Sequence, residues 1–192
     1  MLFVVIGCSC VGKNSIMDIL EKEYSFSILN KVSTRNSRVG EHNNVTLSIE
    51  NFKKISSEGK LLFENNFYSN YYAYFREDIL VATKNIVDFY MMDFGIENIS
   101  QLDFLNNTYK IVVIPENVEF LHHTIAKSGR QDRLNEIIYN YNEYYADLEE
   151  GFYPESKTLI IKNHLNKVQY TVNKMINYLK EFTKINPVLK KE

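Results

Sequence analysis

Gly7-Cys8-Ser9-Cys10-Val11-Gly12-Lys13-Asn14 follows directly on the apolar run Leu2-Phe3-Val4-Val5-Ile6, and this junction decides the fold. A β-branched run, a glycine-bounded loop and then Ser15-Ile16-Met17-Asp18-Ile19-Leu20 read as strand, loop and helix. In that setting G-x-x-x-x-G-K has a physical meaning. Gly7 and Gly12 let the backbone curl until successive N–H groups point inward at a phosphate. The helix starting near Lys13 adds its positive dipole end, and Lys13 places an ammonium on the outer phosphates. These features predict phosphate contacts from Gly7, Ser9, Gly12, Lys13, Asn14 and Ser15. One position departs from the motif. Asn14 stands where a Ser or Thr hydroxyl would bind Mg²⁺, and Ser15 does not substitute, because the next helical residue points about 100° away. The Asn14 carbonyl oxygen is left as a weaker metal ligand. The competing interpretation is a glycine turn with a chance lysine.

The chain has 192 residues, enough for one domain with a full core and a small inserted lid. A net charge of −2 gives no support for non-specific nucleic-acid binding. No apolar run approaches a membrane span, and residues 2–6 are too short for a signal-peptide core, so a cytoplasmic protein is expected. Both cysteines, Cys8 and Cys10, lie in the loop. One residue apart, they make a poor structural disulfide, and no further cysteine completes a zinc cluster. They read as small side chains tolerated in a tight loop; the alternative is redox sensitivity, since a loop rich in N–H groups lowers a thiol pKa. His42, His122, His123 and His164 show neither metal spacing nor a nucleophile pattern.

Taken in order, strand and helix signals alternate, which predicts an α/β fold with a largely parallel sheet. Strands are expected at 2–6, 26–30, 44–49, 60–64, 71–75, 86–92, 110–114 and 158–162. Helices are expected from the loop to 23, from about 50, and over 96–105, 118–126, 134–149 and 165–182. The run 86–92 reads as a buried strand interrupted only by Asp88. Residues 186–192 form a charged tail.

The segment Val32-Ser33-Thr34-Arg35-Asn36-Ser37-Arg38-Val39-Gly40-Glu41 carries two arginines three apart, able to present two forks to one phosphate. Ser33 and Thr34 offer hydroxyl donors beside them. The order phosphate loop, helix, strand and S-T-R-x-x-R-x-G-E resembles the guanylate kinase family, whose segment reads S-T-T-R-P-P-R-P-G-E. The resemblance implies a P-loop nucleoside monophosphate kinase domain over 1–185, with an acceptor-binding insertion near 32–82 and a lid near 122–145. It implies that Arg35 and Arg38 hold the acceptor phosphate. Gly59-Lys60-Leu61-Leu62-Phe63-Glu64 looks like the family's G-x-F-L-E, which gives Glu64 the guanine edge; a carboxylate accepts from the two adjacent N–H groups that guanine offers. Ser69-Asn70-Tyr71-Tyr72-Ala73 resembles G-N-Y-Y-G and places Tyr72 on the acceptor phosphate. Met91-Met92-Asp93-Phe94-Gly95 is similar to D-I-D-x-Q-G, leaving Asp93 as the carboxylate near acceptor and metal. Ile161-Lys162-Asn163-His164-Leu165 resembles N-D-D-L and sets Asn163 near the adenine. In the lid, Arg130 and Arg133 would close over the reacting phosphates.

The implied activity is transfer of the ATP γ-phosphoryl group to GMP or dGMP with Mg²⁺. Departures from the family accompany it: Asn14, Met91 in place of a first carboxylate, Tyr74 where a small hydroxyl residue is usual, and a lid position near Tyr139-Asn140 where another arginine is expected. Two alternatives remain. Gly40-Glu41-His42-Asn43-Asn44-Val45-Thr46-Leu47-Ser48 is similar to the G-E-N-H-x-A-L-S segment of ribose 1,5-bisphosphate phosphokinases, although Glu64 argues against a sugar-phosphate acceptor. A catalytically silent guanylate kinase-like binding domain is the other, opposed by the intact Gly7, Gly12 and Lys13.

Overall fold

The computed structural model describes residues 1–37, 41–67, 69–105, 108–145 and 147–183. The expectations for Arg38 and for the tail at 186–192 fall outside them.

Two sheets organise the chain. The larger has the order β2-β7-β1-β8-β10-β9, built from β1 (Leu2–Ile6), β2 (Phe26–Ile28), β7 (Phe89–Phe94), β8 (Thr108–Pro115), β9 (Gly151–Tyr153) and β10 (Thr158–Asn163). Its first five strands pair in parallel, and β9 closes the edge antiparallel to β10. β1 is central, and all five of its side chains are fully buried, as an uninterrupted apolar run demands of a parallel strand covered on both faces. α1 (Lys13–Glu23), α4 (Val118–Ser128), α5 (Leu134–Tyr144) and α6 (Val168–Thr183) flank it. Phe3 anchors an aromatic cluster across the sheet, with Phe26 at 5.6 Å, Phe89 at 5.7 Å and Tyr109 at 5.2 Å between ring centroids.

The smaller sheet, β4-β3-β6-β5, comprises β3 (Lys31–Ser33), β4 (Asn44–Thr46), β5 (Leu61–Phe67) and β6 (Asn70–Phe75). It packs on α2 (Ile49–Ser57) through a small core of Val32, Phe52, Leu61 and Ala73. Ser48 caps α2, its hydroxyl accepting from the Asn51 N–H at 3.1 Å.

The strand expected at 86–92 begins only at Phe89. The Asn85 side-chain oxygen accepts from the N–H groups of Val87 and Asp88, both at 2.8 Å, and this Asx turn leaves Ile86 and Val87 about three-quarters exposed. The helix expected over 96–105 is a 3-10 segment, Ile96–Leu102. α5 stops at Tyr144 instead of reaching 149, and α6 starts at Val168 instead of 165. Two strands and one α-helix had no forecast: β3, β9 and α3 (Arg76–Lys84). The last carries Glu77 and Asp78 in its first turn and Lys84 in its last, charges that complement the helix dipole.

The phosphate loop is seated by two close approaches. A Cβ on Gly7 would lie 2.9 Å from the Val113 carbonyl oxygen, and one on Gly12 would lie 2.3 Å from Asn163 Nδ2. Gly12 also adopts φ +95°, in the left-handed region. Asn163 Nδ2 donates to the Val11 carbonyl at 2.9 Å while its Oδ1 accepts from Thr171 Oγ1 at 3.0 Å, all buried. Asn163→Ala takes the donor from the Val11 carbonyl and leaves the Thr171 hydroxyl only the Lys167 carbonyl at 3.5 Å, so a loss of about 1–3 kcal/mol in unfolding free energy is expected. Denaturant unfolding of the variant checks it; an unchanged midpoint would show that the loop seats without this amide.

Candidate active site

The loop, the C-terminal end of β7 and the small sheet enclose a cleft of about 410 Å³. Ligand sites of open α/β sheets lie at this end of the strands. Lys13, the first residue of α1, folds back over the loop, its ammonium donating to the carbonyls of Gly7 at 2.5 Å and Cys8 at 3.0 Å. Burial lowers its pKa, against an opposing pull from Asp93. Asn14 and Ser15 are exposed at the start of α1, and Ser9 lines the cleft.

Asp93 is the electrostatic centre. Lys31 Nζ lies 2.5 Å from each carboxylate oxygen. The Tyr74 hydroxyl donates to Asp93 Oδ1 at 2.8 Å and to its carbonyl at 2.9 Å. Burial pushes the Asp93 pKa up, but the charges of Lys31 and Lys13 and the hydrogen bonds from Lys31 and Tyr74 outweigh it and hold the carboxyl at about 2. Tyr74, buried beside that carboxylate, has its own pKa raised well above the ordinary value.

The remaining cations are also held by acceptors. Arg35 donates from Nη2 to both oxygens of Glu41, at 2.8 and 2.7 Å, and from Nη1 to the Asn36 carbonyl at 2.6 Å. Arg130 reaches Cys10 Sγ at 3.6 Å. Arg133 donates to Glu136 at 3.2 Å and lies over the Phe67 ring, 4.8 Å from its centroid. Lys13, Arg35, Tyr72, Asp93, Arg130 and Arg133 therefore face one cleft.

Four residues take other places. Glu64 is exposed and points away from the cleft, accepting from Ser56 Oγ at 2.6 Å. The cause is Phe63, which is drawn into the main core between Phe94 (5.3 Å) and Phe104 (5.5 Å) with φ +58°. The β5–β6 register breaks between Leu62 and Asn65, so Asn65 lines the cleft instead. Asn163 braces the loop from beneath, with both ends of its amide engaged. Ser33 Oγ donates to the Arg35 carbonyl at 3.0 Å, and Thr34 Oγ1 accepts from the Tyr71 N–H at 3.0 Å; both shape the turn that carries Arg35.

Lys31 was absent from the sequence expectations, although alternation in Lys31-Val32-Ser33 signals it: Val32 fills the small core, so its neighbours face the other side. Glu97 was also missed. Its carboxylate sits against Gly95, where an added Cβ would lie 2.1 Å from Oε1, and it lines the cleft. Cys8 is buried, which pushes its thiol up to about 12, so redox sensitivity does not suit it. Among the described residues no cluster of His, Cys, Asp and Glu is arranged to hold a metal. Mg²⁺, implied by the resemblance, does not suit Asp93, whose charge already faces the Lys31 ammonium; Asn14 alone offers a single amide oxygen.

A strand-loop-helix phosphate cradle on a parallel sheet, facing a cleft of arginines and lysines, defines a P-loop α/β protein. No family model matches the chain. Among curated proteins, the guanylate kinase of Baumannia cicadellinicola subsp. Homalodisca coagulata is 25% identical over 185 residues, spanning 92% of this chain and 89% of its own. Among solved structures, guanylate kinase from Anaplasma phagocytophilum shares the fold with a TM-score of 0.65 at 15% identity, covering 99% of this chain and 89% of that one. The chain is thus similar in sequence to a guanylate kinase over most of its length and shares the fold of another. Among the described residues no helix is long and apolar enough to cross a membrane.

The low Asp93 pKa has a stability consequence. Because the folded value of about 2 lies below the ordinary 3.8, the ionised carboxylate stabilises the fold above about pH 4 and loses that contribution as pH falls toward 2. The difference corresponds to roughly 2 kcal/mol. Unfolding curves between pH 2 and 6 should show Asp93→Asn less sensitive to acid than the parent; equal slopes would refute the assignment.

Proposed function

We propose that this chain is a nucleoside monophosphate kinase of the guanylate kinase type, transferring the γ-phosphoryl group of ATP to the phosphate of GMP or dGMP. The observation that carries phosphoryl transfer is the convergence of Lys13, Arg35, Arg130 and Arg133 on one cleft. An oxygen of the acceptor phosphate attacks the γ-phosphorus, the bond to the β–γ bridging oxygen breaks, and ADP leaves with that electron pair. The acceptor is already an anion at neutral pH, so no general base is needed. Catalysis then rests on positioning and on cations placed around the charge that spreads over the transferring group.

In this reading Lys13 leaves the loop carbonyls for the ATP phosphates. Arg35 and Tyr72 hold the acceptor phosphate, with Arg38 as their expected partner. Arg130 and Arg133 approach from the lid. Asn65, carrying one donor and one acceptor face, meets the guanine edge on the cleft side of β5. Cytoplasmic location fits a soluble nucleotide substrate.

The outward position of Glu64 favours a second reading, a kinase of a phosphorylated sugar in the manner of the ribose 1,5-bisphosphate phosphokinases, because the carboxylate that argued for guanine is bonded to Ser56. A coupled ADP-release assay with GMP, dGMP, AMP and ribose 1,5-bisphosphate separates the two. Under the nucleotide reading, Asn65→Ala raises the GMP KM about tenfold, the cost of about one charge-free pair of hydrogen bonds. Glu64→Ala changes the same KM by less than about twofold, as a solvated surface contact should. A large effect at Glu64 with none at Asn65 would show that β5 shifts register around the acceptor. Turnover of the sugar bisphosphate alone would replace the nucleotide reading.

A further inference from the structure

Lys31 lies outside every role assigned above, yet it touches the most constrained carboxylate of the cleft. It projects from β3 of the small sheet and reaches Asp93 on β7 of the large one, 2.5 Å from both oxygens. Tyr74, from β6, fixes that carboxylate by donating to Oδ1 and to the carbonyl of the same residue. The Lys31 side chain keeps 25% of its surface exposed and lines the cleft beside Lys13 and Asn14. An ammonium has three donors, so a direction remains for a phosphate oxygen after Asp93 is served. A divalent ion at Asp93 would have to expel this lysine or sit against it, like charge to like. Asn14, exposed and without a hydroxyl, offers no compensating short ligand.

We propose that Lys31 is a built-in cation, occupying at Asp93 the place of a protein-bound divalent ion and binding the phosphates of the nucleotide directly. The proposal rests on the phosphoryl-transfer reading of the same cleft. It makes nucleotide affinity depend weakly on Mg²⁺, since the protein-side charge is covalently attached and survives chelation.

The test is titration calorimetry of ATP against the full chain, in Mg²⁺ and in EDTA. Parent affinity should fall by less than about threefold on chelation, while Lys31→Met should lose at least about tenfold in EDTA and recover most of it in Mg²⁺. Lys31→Arg, which keeps the charge, should follow the parent. A second measurement is Mn²⁺ binding by electron paramagnetic resonance without nucleotide. Neither the parent nor Asp93→Asn should show a site, whereas Lys31→Met should gain one that Asp93→Asn added to it removes.

Equal sensitivity to chelation in parent and Lys31→Met overturns the proposal. So does a Mn²⁺ site in the parent that Asp93→Asn abolishes, a result that needs no Lys31 variant to fold. If ATP binds in neither condition to any form, the phosphoryl-transfer reading falls and this proposal with it. If ATP binds but Lys31 has no influence, this proposal alone falls.

Discussion

The site depends on backbone being brought against its neighbours with no side chain between them. At Gly7 the loop runs against the Val113 carbonyl, and at Gly12 it runs against the Asn163 amide. Each approach leaves no room for a Cβ, and Gly12 also needs a left-handed backbone. The parallel pairing of β1 between β7 and β8 sets the first approach, and the end of β10 sets the second. Asn163 then joins loop, strand and α6 in one buried chain of hydrogen bonds. The cradle is thus shaped by the sheet beneath it, before any ligand arrives.

Around that cradle, the cations of the cleft are provisionally matched: Lys13 by loop carbonyls, Arg35 by Glu41, Arg133 by Glu136 and Lys31 by Asp93. Such matching keeps a cluster of like charges compatible with a stable fold. It also sets what an incoming phosphate must outcompete. The carbonyl partners of Lys13 are neutral dipoles, whereas Asp93 carries full charge and a depressed pKa. Lys13 is therefore more readily given up to a ligand than Lys31, which faces a full charge.

Much of this was legible in the sequence. The loop, its flanking strand and helix, the alternating elements and the arginine turn all rest on local patterns that the chain displays openly. Glu64 was not placed, because its direction is decided by Phe63 packing against Phe94 at the end of β7 and Phe104 in the turn after the 3-10 segment. A period-two pattern carries no mark of a bulge. The bracing role of Asn163 was not legible for a similar reason, since its partners Val11 and Thr171 lie on other elements. Lys31 was hidden by ordinariness: a lysine beside a valine signals solvent until a second sheet is packed over it. The strand forecast at 86–92 started three residues early because apolar residues at a turn are not excluded from the surface when one Asn side chain satisfies the local backbone.

Asp93 and Phe94 are consecutive residues at the end of β7, and the small sheet is fastened to both. Lys31 and Tyr74 grip the first, while Phe63 stacks edge-on against the second. Two fastenings one residue apart tie the small sheet to the end of a single strand, one by charge and one by ring contact. The placing of the Arg35 turn relative to the phosphate loop is therefore set where β7 ends, and a change at Asp93 or Phe94 reaches both sheets at once.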